Sequence, residues 1–157
     1  MLIRAYGTYW NPNAVEWGAV GAGNKGKLEG RIKINGQSQT IDFWEAKGIY
    51  VLHESYRAVY VGKAWSTDLG KRLRDHLSDR VAGRWDMFSW FSTSTVNITT
   101  SSVRKAGKRQ VNADTVIDTL EAISILITNP PLNRRIERFS DAVVAEQVGM
   151  QPKAIRD

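Results

Sequence analysis

Residues 48–64, GIYVLHESYRAVYVGKA, hold two short apolar runs on either side of a polar break, each with one tyrosine and one glycine. Runs of this length and β-branched content read as two strands of one hairpin. Side chains alternate faces along a strand, so the loop length decides where the tyrosines go. A two-residue turn at Ser55 and Tyr56 sets Tyr50 opposite Val61, with the two phenols on opposite faces. A three-residue loop from Glu54 to Tyr56, or an equivalent bulge, sets Tyr50 across from Tyr60 on one face. No Gly or Asn in the loop selects between these.

Upstream, residues 1–46 read as β. LIRAYGTYW, GRIKI and TIDFW cluster β-formers between the breaks NPN, GAGNKG and NGQ. Asn35-Gly36 is the strongest hairpin signal, because a type I′ turn needs positive φ at both central residues. GAGNKG lacks the Gly, Lys and Ser/Thr order of a phosphate loop and reads as a turn. Its six aromatics, Tyr6, Tyr9, Trp10, Trp17, Phe43 and Trp44, read first as core, with a stacking platform for bases as the alternative.

Downstream, STDLGKRLRDHLSDRV reads as a helix capped by Ser66 or Thr67, with Leu69, Leu73 and Leu77 as its apolar stripe. RWDMFSWF reads as a strand, and its Trp90 and Phe91 as core before base contacts. Residues 92–110 read as a polar loop, strand-like at TSTVNIT and ending in a basic cluster. NADTVIDTLEAISILITN predicts a second helix, capped by Asn112 or Asp114 and striped by Val116, Leu120, Ile123 and Ile127. NPPLN ends it. DAVVAEQVGM predicts one more short helix. There is no internal repeat. The expected fold class is α/β (α+β type), a small antiparallel sheet flanked by helices. The expected domains are a β-rich extension at 1–46, a main domain at 47–140 and a helical tail at 141–157.

Composition narrows the function. No cysteine is present, which excludes disulfides and thiolate metal sites and suits a reducing compartment. No signal-peptide pattern or span-length apolar run occurs, so a cytoplasmic protein without membrane attachment is expected. The net charge of +6 is uneven. Residues 47–109 hold twelve Lys/Arg against five Asp/Glu, whereas 110–157 hold five against seven. A localised basic surface attracts polyanions, nucleic acid above all. A basic domain with no such partner is the plain alternative.

On the first predicted helix, Arg72 and His76 lie one turn apart at the rim of the leucine stripe. Half-desolvated charges act strongly there, although an ordinary boundary pair has the same pattern. Glu121 is flanked by apolar residues in TVIDTLEAISILI; a buried carboxylate must be paired, protonated or bound to a cation.

GIY at 48–50, YVG at 60–62, LGKRLRDH at 69–76, Glu121 and Asn133 together resemble the GIY-YIG endonuclease superfamily. The step from Glu121 to Asn133 through PPLN, and YVGKA followed by LGKRL, are similar to the nuclease module of the bacterial excision-repair incision subunit. Two extra residues, in WSTD, precede Leu69 here. The resemblance covers residues 48–133 and implies a metal-dependent endonuclease acting on DNA. It implies that Glu121 binds one Mg²⁺ or Mn²⁺ and that Arg72 holds the scissile phosphate. Tyr50 and Tyr60 would orient or deprotonate the attacking water, for which a phenol needs the field of Arg72, Lys63 or the metal. His76 would relay a proton or contact phosphate, and Asn133 would brace the site. Lys63, Arg104, Lys105, Lys108 and Arg109 are expected to contact DNA with Arg72. Relatives carry large separate DNA-binding domains; none is evident here, so weak specificity, or specificity from a homodimer or protein partner, is expected. That tilts the expected role towards restriction or phage defence, with a mobile element or repair as alternatives. A catalytically silent nucleic-acid-binding module, or a nuclease active only with a partner, is the competing reading.

Overall fold

Ser55 and Tyr56 both take positive φ, 47° and 68°, closing β6 (Gly48–Glu54) onto β7 (Arg57–Ala64) through a two-residue turn. Neither residue favours that conformation. The Asp86 carboxylate compensates by accepting the Ser55 N–H at 3.1 and 3.2 Å. By itself this turn would put the phenols on opposite faces. The register then shifts between Leu52 and His53, after which Leu52 pairs with Tyr60 and Tyr50 with Gly62. The bulge returns both tyrosines to one face, offset diagonally rather than directly opposed.

The computed structural model describes residues 2–149 except 20, 22, 109, 134–138 and 140. Ahead of the hairpin come β1 (Ala5–Trp10), a 3-10 turn at Pro12–Ala14, β2 (Glu16–Gly18), β3 (Lys25–Lys27), β4 (Glu29–Ile34) and β5 (Gln37–Asp42). After it come α1 (Leu69–Asp75), β8 (Met87–Ser92), β9 (Thr95–Asn97), β10 (Ser102–Arg104), α2 (Ala113–Thr128), β11 (Val143–Val144) and β12 (Glu146–Gln147). The main sheet has the order β11-β1-β8-β6-β7, antiparallel except for the β1–β11 pair. A second sheet has the order β12-β4-β5, and β2-β3 and β9-β10 form two short ladders. As expected, Asn35 and Gly36 turn β4 into β5 with φ of 51° and 78°.

The expected α/β architecture, a small sheet flanked by helices, is therefore corrected to a mostly β protein with two α-helices among the described residues. The segments 1–46 and 92–104 supply paired strands, and β1 lies inside the main sheet. Trp10 packs edge-on against Trp90 at 5.3 Å, and Phe43 lies 4.6 Å from the same ring. The tail at 143–147, predicted helical, is β instead. Val143 and Val144 are β-branched, and the outer edge of β1 offers them unpaired backbone groups.

The central strands of the main sheet are buried on both faces. Tyr50, Leu52, Phe88 and Trp90 join Trp10, Ile32, Phe43, Trp44 and, from α1, Leu69 and Leu73. Val51 and Phe91 face the other way, towards Ile3, Tyr6 and Ala122 of α2. α1 is shorter than predicted. Asp68, rather than Ser66 or Thr67, stands at its N-cap position, with its carboxylate on Lys47 at 3.0 Å instead of on a helix N–H, and Leu77 beyond its end is exposed. The Asp79 carboxylate accepts the Val81 N–H at 3.0 Å, bending the backbone out of the helix. α2 begins where Asn112 Oδ1 accepts the Thr115 N–H and ends at left-handed Asn129, φ 44°. Its buried line runs through Thr119 and Ala122, with Ile123, Leu126 and Ile127 packed beside it, leaving Val116 and Leu120 in solvent. Half of the predicted stripe thus lies outside, because α2 carries aliphatic residues on both sides. No helix among the described residues is long and apolar enough to cross a membrane.

Candidate active site

Tyr50 occupies the middle of β6 and is fully buried. Its ring lies over the neighbouring strand at Gly62, where a Cβ would overlap the phenol oxygen. Only glycine leaves that space, which gives the YVG glycine its physical reason. Gly48 answers to a similar constraint, since a Cβ there would overlap the Phe91 carbonyl of β8. Both motif glycines are packing requirements of the sheet that presents the phenols.

The Tyr50 hydroxyl lies 2.8 Å from His76 Nε2, and His76 Nδ1 lies 2.7 Å from Asp79 Oδ2. Hydrogen bonds from the Val81 N–H and from His76 hold the Asp79 carboxyl below its ordinary value, outweighing the lost hydration that would raise it. An ionised carboxylate only accepts, so Nδ1 carries the proton, Nε2 is the acceptor, and the Tyr50 O–H donates to it. Burial pushes the Tyr50 phenol up to about 12, against the opposing pull of the Arg72 cation. A neighbouring Tyr60 raises it further by its charge and hydrogen bond when ionised. Tyr50 therefore stays protonated at neutral pH.

Tyr60 stacks edge-on against His76 at 4.8 Å, with its ring 6.3 Å from that of Tyr50. It is half-buried and opens onto a cleft of about 360 Å³ lined also by Arg80, Arg84, Trp85 and Glu54. The Trp85 indole donates to the His76 carbonyl at 3.1 Å and fixes the end of α1. Tyr50, Tyr60, Arg72 and His76 are thus brought together by one strand pair and one helix.

The remaining predicted residues are placed differently. Glu121 was expected to be buried, but it is exposed and makes no hydrogen bond or ion pair among the described residues. At 100° per residue it lies 200° from Thr119, on the side of α2 away from the sheet. Lys63 pairs with Ile49 and shares its face of the sheet, so its charge lies across the strands from the phenols. Asn133 is exposed in the turn after α2, its N–H bonded to the Pro130 carbonyl at 3.2 Å. Arg104, Lys105 and Lys108 are exposed. Arg109 lies outside the described residues.

Asp79 escaped the sequence reading although it carries a signal, an acid three residues beyond the histidine in DHLSD. Arg74 lies 5.4 Å over Trp44 and donates to the Trp17 and Ala19 carbonyls. A divalent cation would find at Glu121 a carboxylate with no partner among the described residues. Among the described residues no group of three or more His, Asp or Glu gathers around it. One carboxylate suits a hard cation that keeps most of its waters. Comparison with family models, curated proteins and solved structures returns no match.

Proposed function

We propose that this chain is a divalent-metal-dependent endonuclease that hydrolyses DNA phosphodiester bonds. The observation that carries the reading is the hydrogen-bonded chain Tyr50–His76–Asp79, with Arg72 and the half-buried Tyr60 beside it. Hydrolysis needs a proton taken from water and charge stabilised on the phosphoryl oxygens. Arg72 offers a planar guanidinium for the scissile phosphate. Tyr60, the phenol nearer solvent, orients the attacking water. The proton leaving that water passes through Tyr60 and Tyr50 to His76 Nε2, each oxygen gaining one proton as it releases another. The resulting imidazolium is held by Asp79. Glu121 would hold the Mg²⁺ or Mn²⁺; it faces away from this group, so no step here is routed through the metal.

A second reading, a nucleic-acid-binding module without cleavage, is favoured by one observation: Glu121 makes no hydrogen bond or ion pair with the tyrosine group among the described residues. Cleavage of single- and double-stranded DNA with Mg²⁺, Mn²⁺ or EDTA, by wild type and Glu121→Ala, separates the two. Metal-dependent nicking lost in the variant, with DNA binding retained, is the expected outcome. Binding without nicking by wild type would favour the second reading.

A further inference from the structure

Trp65 directly follows β7 and leads towards α1, so it stands on the connection between Tyr60 and Arg72. It is half exposed although its ring is the largest apolar side chain available. The Lys105 ammonium sits over the ring, 4.4 Å from its centroid. Beside them opens a cleft of about 420 Å³, lined also by Leu2, Ala106, Lys108 and Val111. That volume falls within the range of small-ligand sites. Its lining pairs an aromatic and aliphatic wall with two ammonium groups and, among the described residues, no acid.

A flat indole takes the face of another planar ring, whereas lysines at the rim take an anion. One chemical unit has both features: a nucleobase attached to its phosphate. A paired base inside a duplex hides its faces in the stack and cannot lie on Trp65; an unpaired one can. We infer that the Trp65–Lys105 cleft binds an unpaired nucleobase of the nucleic-acid strand that occupies the active site, with Lys105 and Lys108 on its phosphates. This rests on the nucleic-acid reading above and makes its substrate a strand with at least one unstacked base. Lys105, which covers the ring in the free protein, swings from the indole to the backbone when the base enters.

The test is binding by the full chain in EDTA, so that cleavage plays no part. The probes are a labelled oligothymidylate, an abasic strand with the same phosphates, and free thymidine monophosphate. Wild type should bind the base-bearing strand roughly tenfold more tightly than the abasic one, with quenching of tryptophan fluorescence. Trp65→Ala should lose that preference while binding the abasic strand as wild type does, and Trp65→Phe should keep most of it. Lys105→Gln should reduce the salt slope of strand binding by about 0.7. Equal binding of both strands by wild type overturns the inference yet leaves the nuclease reading standing. Tight binding of the free nucleotide with no preference for the strand also overturns it, because the cleft would then be a mononucleotide site. If no nucleic acid binds at all, both readings fall.

Discussion

The two faces of the main sheet are built from the same alternating strands, yet only one gathers chemistry. On the face of Tyr50, the phenol meets the imidazole, the imidazole meets a carboxylate, and a guanidinium stands beside the phenol. On the face of Val51, α2 contributes apolar packing and turns Glu121 outwards. Strands commit a side chain to one face or the other by parity, and the bulge after Leu52 settled the parity of Tyr60. A helix with aliphatic residues all round has no such commitment, and packing chose which side of α2 to bury. Residues on strands were therefore placed by local pairing, whereas the helix carboxylate was placed by a distant contact.

The sharpest way to break this contrast is to remove the guanidinium from the tyrosine face. Arg72→Ala should lower kcat for DNA cleavage by roughly 10²–10³-fold, the usual cost of losing one donor to the developing charge. Single-turnover cleavage by the variant checks this. A rate within a factor of two of wild type would remove the tyrosine face from the reaction.

Gly62→Ala probes the floor of the same face. Its methyl group would overlap the Tyr50 ring, and such overpacking costs typically 1–3 kcal/mol. Urea denaturation should show this as a lower midpoint at unchanged slope. The same substitution at exposed Lys63, one residue away on the other face, should stay within about 0.5 kcal/mol. Similar losses at both positions would mean that Tyr50 does not lie across Gly62.

Asp79→Asn keeps the shape of the relay and removes its charge. Cleavage should fall by about tenfold, with the acidic limb of the pH–rate profile shifted, because nothing then stabilises the imidazolium. A loss without any change in the profile would make Asp79 a structural cap for the 78–81 turn rather than a positioning residue for His76.

The smallest effect belongs to the other face. His53 is fully buried, with Nε2 2.9 Å from Ser89 Oγ, and burial lowers its pKa from 6.5, partly opposed by Asp86. Below pH 6.5 the unfolded chain takes up a proton that the folded one refuses, so stability should fall as pH drops through that value. Above it, His53 contributes no pH dependence. Thermal melts from about pH 7.5 to 5 should show the decline in wild type and a shallower one in His53→Gln. Equal slopes would mean that His53 is protonated in the folded state.

Much of this molecule was determined by local sequence. The hairpin, the Asn35-Gly36 turn, the start of α2 at Asn112 and the strand at Met87–Ser92 follow from patterns a few residues long. The gathering of Tyr50, Tyr60, Arg72 and His76 also follows from short spacings, given a bulge. Tertiary structure alone decided that residues 1–46 enter the main core, that the tail forms strands, and that α2 buries Thr119 and Ala122 instead of Val116 and Leu120. The physical reason is the range of the forces involved. Turn dihedrals and side-chain alternation act over neighbouring residues, whereas burial depends on which apolar surfaces a distant segment leaves uncovered. Glu121 stands at that boundary: its neighbours in sequence are apolar, and its neighbour in space is water.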